Sequence, residues 1–346
     1  MRVLDKAVFN VVRSYQLHNR QYNLYSLILF VTNKCNGGCI GCLYWPKLNK
    51  KSAVDLSLDE IRKISRSMGN VWHLQISGGE PFLREDLPEI CRFFVENNST
   101  RFITIPTNGL LTKKIIHDIQ EILVSCKCRI GISVSIDQTQ NANYHLRPGS
   151  NIKRFKTLEK LCRIQNCHNN LKLAIATRLT NKNYNDARLL ANEIRVRFPG
   201  INHMLFPIRG RLNANELRRP LPSEYWKCVS ELNMGILNNT KRHFIMNLLN
   251  NEPWPFGCVA GHKIGVIDSD GDVRLCELLD PIGNLRKASY DFYGIWSSKK
   301  ANKQRQVIAN GECSTGCTHG CFLWPSLLDK PWNTLPFLFR AGKFSP

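Results

Sequence analysis

Three cysteines stand close together near the start of the chain, as Cys35-Asn-Gly-Gly-Cys39-Ile-Gly-Cys42. Thiolates at this spacing can wrap one compact iron–sulfur cluster, and the glycines between them let the backbone fold tightly around it. Three ligands leave one iron of a cubane cluster open, and an open coordination position distinguishes a catalytic metal centre from a structural one. A zinc site is the alternative, although zinc sites favour paired Cys-x2-Cys spacings.

A second group of cysteines lies nearer the end of the chain and could ligate a second metal centre. Its members are Cys258, Cys276, Cys313, Cys317 and Cys321. Clustered cysteines in a chain without secretory features indicate metal or redox chemistry rather than disulfides. Asp270-Gly271 between the first two predicts the turn of a β-hairpin. A structural zinc site on these thiols is the alternative here as well.

The elements that would position the first three cysteines alternate between strand and helix. Apolar runs rich in β-branched or aromatic residues predict strands over Leu27–Thr32, Val71–Ile76, Phe102–Pro106, Ile130–Ile136, Leu173–Thr177 and Met204–Phe206. Helical spacing of apolar residues predicts helices over Asp86–Asn98, Thr112–Val124, Asn151–Arg163 and Asn185–Arg197, and Ser57-Leu-Asp-Glu60 is a capping box that opens another. Six such units predict an α/β fold with a partial (β/α)6 parallel barrel, whose chemistry sits at the carboxyl ends of the strands.

Polar and glycine-rich segments follow the predicted strands at that edge. They are Ser77-Gly78-Gly79-Glu80-Pro81 after the second strand, Thr107-Asn108-Gly109 after the third, the series Ser133, Ser135 and Asp137 along the fourth, and Arg147 beyond it. Strand alternation puts Ser133, Ser135 and Asp137 on one face. An ordinary turn is the alternative for the glycine-containing segments, and a solvated side chain is the alternative for Arg147.

A Cys-x3-Cys-x2-Cys motif after the first strand of a partial barrel, followed by Gly-Gly-Glu-Pro after the second, resembles the radical S-adenosylmethionine (SAM) superfamily. The resemblance implies that Cys35, Cys39 and Cys42 hold a core [4Fe–4S] cluster whose open iron is chelated by SAM. It also implies that one electron from the reduced cluster splits SAM into methionine and a 5′-deoxyadenosyl radical that abstracts hydrogen from a substrate.

The resemblance further implies roles for the residues at the strand ends. Gly78, Gly79 and Glu80 would meet the SAM ammonium group, Asn108 would border the SAM pocket, Ser135 would contact the SAM ribose or carboxylate, and Arg147 would pair with the SAM carboxylate. A guanidinium fork suits a carboxylate partner. Many family members have an aromatic residue before the third cysteine, where this chain has Gly41. Tyr44 or Trp45 could supply that contact to adenine instead.

The spacing Cys258-x12-Gly271-x4-Cys276 resembles the opening of the SPASM and Twitch extensions of radical SAM enzymes. With five cysteines present, the resemblance implies a Twitch-like site with one auxiliary [4Fe–4S] cluster. Cys258 and Cys276 would supply two ligands, and Cys313 and Cys317 the others, with Cys321 as the alternate. Glu277 lies where related sulfatase-maturing enzymes carry a carboxylate that deprotonates the substrate. It is the candidate general base if its environment raises its pKa.

The chain divides into five predicted segments. They are a basic amphipathic N-terminal segment (1–25), the radical SAM partial barrel (26–225), a helical bridge (226–256), the SPASM/Twitch-like domain (257–322) and a basic amphipathic tail (323–346). Basic side chains beside apolar ones at both ends suit the headgroup region of an anionic membrane, which predicts a peripheral membrane contact. The alternative is that both ends pack against the barrel.

The chain has 346 residues and a formal net charge of +21 at pH 7. Such a balance favours anionic partners, with a solvated cationic surface as the alternative. No zinc-finger pair or aromatic RNA-binding stretch accompanies the charge, so we expect no nucleic-acid partner. The sequence shows neither a bilayer-length apolar run nor the apolar core of a signal peptide, which predicts a cytoplasmic protein.

The resemblance implies an enzyme, supplied with electrons by a donor such as flavodoxin or ferredoxin. An auxiliary cluster that accepts the leftover electron would make the net reaction an oxidation. The substrate is either an anionic small or lipid-linked molecule or a peptide; the short segment before the first strand leaves no room for a separate peptide-recognition domain and favours the former. A non-enzymatic metal-binding scaffold for nucleic acid is the alternative from another class.

Overall fold

The computed structural model describes residues 24–139, 142, 146–209, 217–229, 242, 244–252, 254, 256–313 and 317–329. Most of the two basic amphipathic ends and much of the helical bridge therefore lie outside the described residues, and the predictions made for them stay predictions. In the part of the chain that is described, no helix is both long and apolar enough to span a bilayer.

One sheet runs through the molecule, with its strands in the order β6-β5-β4-β3-β2-β1-β7-β8-β9. The strands are β1 (Leu24–Phe30), β2 (Val71–Ser77), β3 (Phe102–Thr107), β4 (Arg129–Ser135), β5 (Leu171–Leu179), β6 (Asn202–Pro207), β7 (Ile264–Ile267), β8 (Asp272–Arg274) and β9 (Gly283–Asn284). Strands β1 to β6 are parallel to their neighbours. The prediction of six parallel strands in an α/β fold is confirmed.

In the described part of the chain a helix follows each of the six parallel strands β1 to β6, and three more helices follow β9. They are α1 (Leu58–Ser67), α2 (Leu87–Asn98), α3 (Thr112–Ser125), α4 (Asn151–Cys167), α5 (Tyr184–Arg197), α6 (Pro222–Val229), α7 (Phe292–Trp296), α8 (Lys299–Ala309) and α9 (Gly320–Asp329). The predicted capping box opens α1, where Ser57 Oγ accepts from the backbone of Glu60 and the Glu60 carboxylate accepts from Ser57 N. Each reciprocal bond satisfies a backbone N–H that has no partner within the helix.

The burial pattern distinguishes the two faces of the sheet. In β5 every second residue is buried, from Leu171 to Leu179, and the buried residues of β4 and β5 join the apolar side chains of the helices in one core. The residues between them face the other side and are half-buried. This second side is the inner surface of the partial barrel. The polar residues at the strand ends lie at the edge of this surface.

The first strand begins earlier and ends earlier than the sequence predicts. Thr32 and Asn33 leave the strand because Asp55 binds both of them: Thr32 Oγ1 donates to Asp55 Oδ2 at 2.6 Å, and Asn33 N donates to Asp55 Oδ1 at 2.8 Å. All seven residues of β1 are buried, and the strand lies inside the sheet between β2 and β7.

The C-terminal region continues the same sheet. β7 pairs with β1 in parallel, with Ser26 opposite Ile264, and β8 returns antiparallel to β7. The turn between them contains Asp270 and Gly271, and Gly271 has a φ of +89° that favours glycine. The predicted hairpin is present, and it is joined edge to edge with the barrel.

Candidate functional site

The three core cysteines, Cys35, Cys39 and Cys42, lie in the loop that follows β1. A Cβ added at Gly37 would lie 3.6 Å from Cys35 Sγ and 3.7 Å from Cys39 Sγ, so both thiols flank this glycine. Burial, opposed by the Gly37 N–H and reinforced by the neighbouring thiols, raises the pKa of Cys35 to about 11. Converging thiols of this kind become thiolates when a metal centre displaces their protons, so the residues present fit a cluster held by three cysteines.

The Gly-Gly-Glu-Pro segment after β2 is packed against the core cysteine loop. Gly79 N donates to Thr32 O and Glu80 N donates to Lys34 O, both at 2.8 Å. A Cβ at Gly79 would collide with the Lys34 carbonyl and lie 3.0 Å from Cys35 Cβ. Glycine is therefore required here by the close approach of two loops.

The carboxylate of Glu80 is buried and spans two strand ends. Its oxygens accept from Thr107 Oγ1 at 2.8 Å, from Asn108 N at 2.7 Å and from Phe82 N at 3.3 Å. Burial raises the pKa of Glu80, although these hydrogen bonds oppose the effect. In this arrangement the carboxylate joins the ends of β2 and β3, and its predicted contact with the SAM ammonium group stays a prediction.

Asn108 connects the end of β3 to the core cysteine loop. Its Nδ2 donates to Asn36 Oδ1 at 2.7 Å, and Asn36 lies between Cys35 and Cys39. Ser135, at the end of β4, is half-buried on the inner surface of the barrel. The structure thus brings Asn108 to the predicted cluster site, whereas the assigned SAM contact of Ser135 stays a prediction.

Arg147 reaches the core cysteines from the loop that precedes α4. Its Nη1 donates to Cys39 Sγ at 3.3 Å and its Nε donates to Asp137 Oδ2 at 3.1 Å. Arg178 on β5 also binds Asp137 Oδ2, at 2.9 Å, and its Nη1 donates to Gly41 O at 3.0 Å. Burial alone would raise the pKa of Asp137, but the two guanidinium charges lower it to about 2, so this carboxylate is anionic at neutral pH.

Gly41 leaves space that apolar side chains fill. A Cβ at this position would lie 2.5 Å from Ile208 Cδ1 and 3.1 Å from Leu217 Cδ1. Tyr44 is buried, and its hydroxyl lies 3.0 Å from Ser269 Oγ. Trp45 is exposed. Tyr44 therefore contacts the hairpin between β7 and β8, and the apolar side chains beside Gly41 are those of Ile208 and Leu217.

The auxiliary cysteines lie close enough to act on one another's pKa values. Burial, together with the charges of Cys317 and Cys313, raises the pKa of Cys258 to about 11. Burial and the charges of Glu277, Cys258 and Cys317 raise the pKa of Cys276 as well. Cys321 belongs to the same neighbourhood, because it acts on Arg209 together with Cys317 and Cys276. These thiols can supply the ligands of an auxiliary cluster, and the choice of four among them stays a prediction.

Cys321 lies beside Glu277 and His319. The ligand atoms of these three residues lie within 4.8 Å of one another. His319 is fully buried, and its Nε2 contacts the Glu277 carboxylate; Arg209 Nη2 lies 3.5 Å from the same carboxylate. Burial would raise the pKa of Glu277, but its contact with His319 and the charge of Arg209 outweigh burial and lower the pKa. Burial and the charge of Arg209 also lower the pKa of His319, which favours a neutral imidazole at pH 7. Glu277 is therefore held as an anion next to Cys276, without the raised pKa expected of a general base.

Lys47 joins the core cysteine loop to the auxiliary hairpin. Its Nζ lies 2.9 Å from Asp268, 2.7 Å from Asp270 and 2.9 Å from Asp272, three carboxylates of the turn between β7 and β8. Arg274 Nε donates to Asp268 at 2.7 Å. Two cations thus offset most of the charge of the three carboxylates, and Lys47 holds the turn beside the loop.

Four of these residues carry no recognisable motif in the sequence. They are Lys47, Arg178, Arg209 and His319. The position of Arg178 and Arg209 could have indicated a site, since each is a cation at or just beyond the end of a predicted strand. His319 could have been noticed because it lies between two auxiliary cysteines. The side chains on which they act are distant in sequence, so spacing alone does not identify their partners.

Known proteins match this chain over both cysteine-containing regions. Residues 29–191 match the Radical SAM superfamily, and residues 258–321 match SPASM, an iron–sulfur cluster-binding domain. A probable GTP 3′,8-cyclase of Methanococcus aeolicus is 32% identical over 147 residues, which make up 40% of this chain and 46% of that protein. The chain spans less than half the length of the curated relatives it matches.

Solved structures show the same fold at low sequence identity. SuiB of Streptococcus suis superposes with a TM-score of 0.59 at 16% identity, over 88% of this chain and 72% of that one. The structure of anSMEcpe with bound AdoMet and the Cp18Cys peptide superposes with a TM-score of 0.55 at 13% identity, over 92% of this chain and 99% of that one. At these identities the likeness concerns the fold.

The chain carries a radical SAM domain over residues 29–191, as its cysteine motif and partial barrel predict, and a SPASM domain over residues 258–321. The radical SAM domain implies a [4Fe–4S] cluster and SAM, and the SPASM domain implies auxiliary iron–sulfur clusters.

Proposed function

We propose that this protein cleaves SAM reductively and uses the resulting radical to oxidise an anionic small or lipid-linked substrate. The observation that carries the proposal is the convergence of Cys35, Cys39 and Cys42 in one loop at the carboxyl edge of the sheet, beside Asn108 and Arg147. When bound there, a reduced [4Fe–4S] cluster supplies one electron that splits SAM into methionine and a 5′-deoxyadenosyl radical.

The residues around the loop would hold this site in place. Gly78 and Gly79 allow the segment after β2 to approach the loop, and Glu80 joins the ends of β2 and β3. Arg147 and Ser135 are the proposed SAM contacts, because a guanidinium fork can pair with a carboxylate and a hydroxyl can bind the ribose.

Cys258, Cys276, Cys313 and Cys317 are the proposed ligands of one auxiliary cluster, with Cys321 as the alternate ligand. Glu277 is the proposed general base, since the neighbouring Arg209 cation and the contact with His319 favour its anionic form. An auxiliary cluster near this carboxylate would accept the electron left on the substrate after hydrogen abstraction and proton loss, which makes the net reaction an oxidation.

An anionic substrate is favoured by charge. The net charge is +21, and three arginines lie at the carboxyl edge of the sheet or next to it: Arg147, Arg178 and Arg209. Curated relatives that match about two fifths of this chain are named GTP 3′,8-cyclase, after an anionic nucleotide. SuiB, in contrast, has also been solved with a bound precursor peptide, SuiA, so a peptide is the alternative substrate.

Anaerobic reconstitution tests the radical SAM proposal. The full chain should bind about eight irons, as two cubanes require, and should release 5′-deoxyadenosine from SAM after reduction with dithionite or a flavodoxin system. A chain that takes up zinc but no iron, or that binds iron and leaves SAM intact under reduction, contradicts the proposal.

The substrate class is tested by the rate of 5′-deoxyadenosine release. GTP should raise this rate more than guanosine does, because only the former offers phosphates to the arginines. Sugar phosphates, undecaprenyl phosphate in detergent and unrelated short peptides extend the comparison. Equal stimulation by guanosine and GTP, or stimulation by the peptides alone, argues against an anionic small substrate.

A further inference from the structure

One buried carboxylate organises two arginines around the core cysteines. Asp137 is 1% exposed and binds Arg147 through Nε and Arg178 through Nη2. Arg147 Nη1 also donates to Cys39 Sγ at 3.3 Å, and Arg178 Nη1 donates to the carbonyl of Gly41 at 3.0 Å. The two guanidinium groups therefore contact the cysteine loop at a thiol and at a backbone oxygen, from one shared anchor.

The anchor is itself held rigidly by neighbouring elements. Asp137 Oδ1 accepts from Arg178 N at 2.8 Å, and Asp137 O accepts from Asn183 Nδ2 at 2.8 Å. On the other side, the buried Arg154 donates to the carbonyls of Pro148 at 2.5 Å and Gly149 at 2.9 Å, directly after Arg147. The position of Arg147 is thus fixed at its guanidinium and along its loop.

A hydrogen bond and a positive charge at a ligand sulfur have a known physical effect on an iron–sulfur cluster. Reduction adds negative charge, so a donor to a cysteine sulfur stabilises the reduced form more than the oxidised form and raises the reduction potential. Arg147 offers both the donor and the charge to Cys39. Arg178 contacts a carbonyl and not a sulfur, so its effect on the potential is expected to be smaller.

We propose that Arg147 sets the reduction potential of the core cluster through its bond to the Cys39 sulfur, and that Asp137 is the positioning residue that holds Arg147 there. This inference rests on the proposed function, since it requires a cluster on Cys35, Cys39 and Cys42. It gives Arg147 a redox role in addition to the predicted contact with SAM.

The test is an EPR-monitored redox titration of the full chain without SAM, so that no contact between Arg147 and SAM contributes. A Cys258→Ala/Cys276→Ala background restricts the signal to the core cluster. In this background Arg147→Met should lower the equilibrium constant for reduction about tenfold, a shift of about 59 mV to more negative potential for one electron. Arg147→Lys keeps the charge and should shift the potential less.

A matched control is Arg197→Met, which removes an exposed arginine that pairs with Glu193 and Glu159 on the helices. Its potential should equal that of the background protein. If the core cluster of Arg147→Met has the same reduction potential as that of the control, the redox role of Arg147 is overturned.

Asp137→Asn tests the positioning role. If the carboxylate holds Arg147 in place, its loss should shift the potential in the same negative direction as Arg147→Met. A positive shift would mean that Asp137 acts only as a negative charge through space, and it would overturn the positioning role. Arg178→Lys provides a second test if Asp137→Asn does not fold: a shift larger than that of Arg147→Met would assign the control of the potential to Arg178 instead.

Failure of this inference and failure of the proposed function give different results. If the background protein binds no iron, the proposed function fails before any potential is measured. If the variants bind about four irons each and titrate at the control potential, the inference alone fails.

Discussion

Lys47 Nζ lies 2.7 Å from Asp270 Oδ1, so the segment that follows the core cysteines is tied to the turn of the auxiliary hairpin. The same ammonium group also binds Asp268 and Asp272. Three carboxylates would repel one another without this cation. The geometry of the hairpin that leads to Cys276 thus depends on a residue of the core cysteine loop.

Replacing Lys47 by Met should lower the free energy of unfolding by about 2 kcal/mol, because hydrogen bonds to charged groups are lost and only Asp268 keeps a cation, Arg274. Anaerobic urea unfolding measures the change. Lys160→Met, at an exposed position of α4, is the control and should change stability by less than about 0.5 kcal/mol. Equal stability of the two variants would show that the ion pairs of Lys47 contribute nothing to the free energy of unfolding.

Calcium provides a second readout for the Lys47→Met variant. Asp268, Asp270 and Asp272 present carboxylate oxygens within 4.8 Å of one another, and oxygen ligands of this kind bind Ca²⁺. Millimolar Ca²⁺ should therefore stabilise the variant and leave the wild-type protein unchanged, because the ammonium group occupies the site in the latter. Equal stabilisation of both proteins would indicate binding elsewhere.

Replacing Cys35, Cys39 and Cys42 together by Ala should remove about four irons per chain and abolish release of 5′-deoxyadenosine. The physical reason is that no other described thiol lies in this loop. Iron analysis and product chromatography measure both effects. Cys167→Ala, at an exposed cysteine of α4, is the control and should retain both; SAM cleavage that persists in the triple variant contradicts the assignment.

The auxiliary ligands can be separated by single substitutions. Cys313→Ala should lower the iron content towards about four per chain, since Cys313 influences the pKa of Cys258 and of Cys317. Cys321→Ala should leave the iron content near that of the wild-type protein, because its thiol lies with Glu277 and His319. The reverse result would identify Cys321 as the ligand and Cys313 as the residue outside the cluster.

Glu277 and Arg209 should be coupled in stability. Glu277→Gln should cost about 2 kcal/mol, because the variant leaves a half-buried guanidinium without its counter-charge. The double variant Glu277→Gln/Arg209→Gln should be less destabilised than the sum of the two single variants, with a coupling energy of about 1 kcal/mol. Additive effects in urea unfolding would mean that the 3.5 Å contact between them is energetically unimportant.

Gly79→Ala should displace the core cysteine loop, because the new methyl group would meet the Lys34 carbonyl and Cys35 Cβ. Overpacking of this kind costs about 1–3 kcal/mol, and we expect reduced iron in the Cys258→Ala/Cys276→Ala background. Gly257→Ala, where an added Cβ would meet nothing within 4 Å, is the control. Full iron content in Gly79→Ala would show that the loop adapts.

The parallel barrel could be predicted from the sequence because its signals are local. In β5, apolar residues alternate along the strand, and the structure buries every second one. The capping box at Ser57 is likewise formed by residues three apart. Strand limits were less accurate where a distant side chain decides them, as Asp55 does at Thr32.

The partners of the charged residues could not be predicted, since they depend on the assembled sheet. Arg178 meets Asp137 only because β5 lies next to β4. Lys47 meets the acidic turn only because β7 is placed beside β1, more than two hundred positions apart in sequence. The cysteines can be found from their spacing, because a metal cluster requires ligands that lie close together. The cations around them are brought there by the pairing of strands that are distant in sequence.

The pairing of β7 with β1 has a consequence for synthesis of the protein. Until residues 264–267 have left the ribosome, one edge of β1 has no strand beside it, although the strand is mostly apolar and fully buried in the folded protein. Unpaired apolar edges promote association between chains, and contacts between distant segments form slowly. Fragments that stop before β7 should therefore aggregate rather than fold as independent barrels, and the nascent chain depends on its C-terminal region to complete the sheet begun by its first strand.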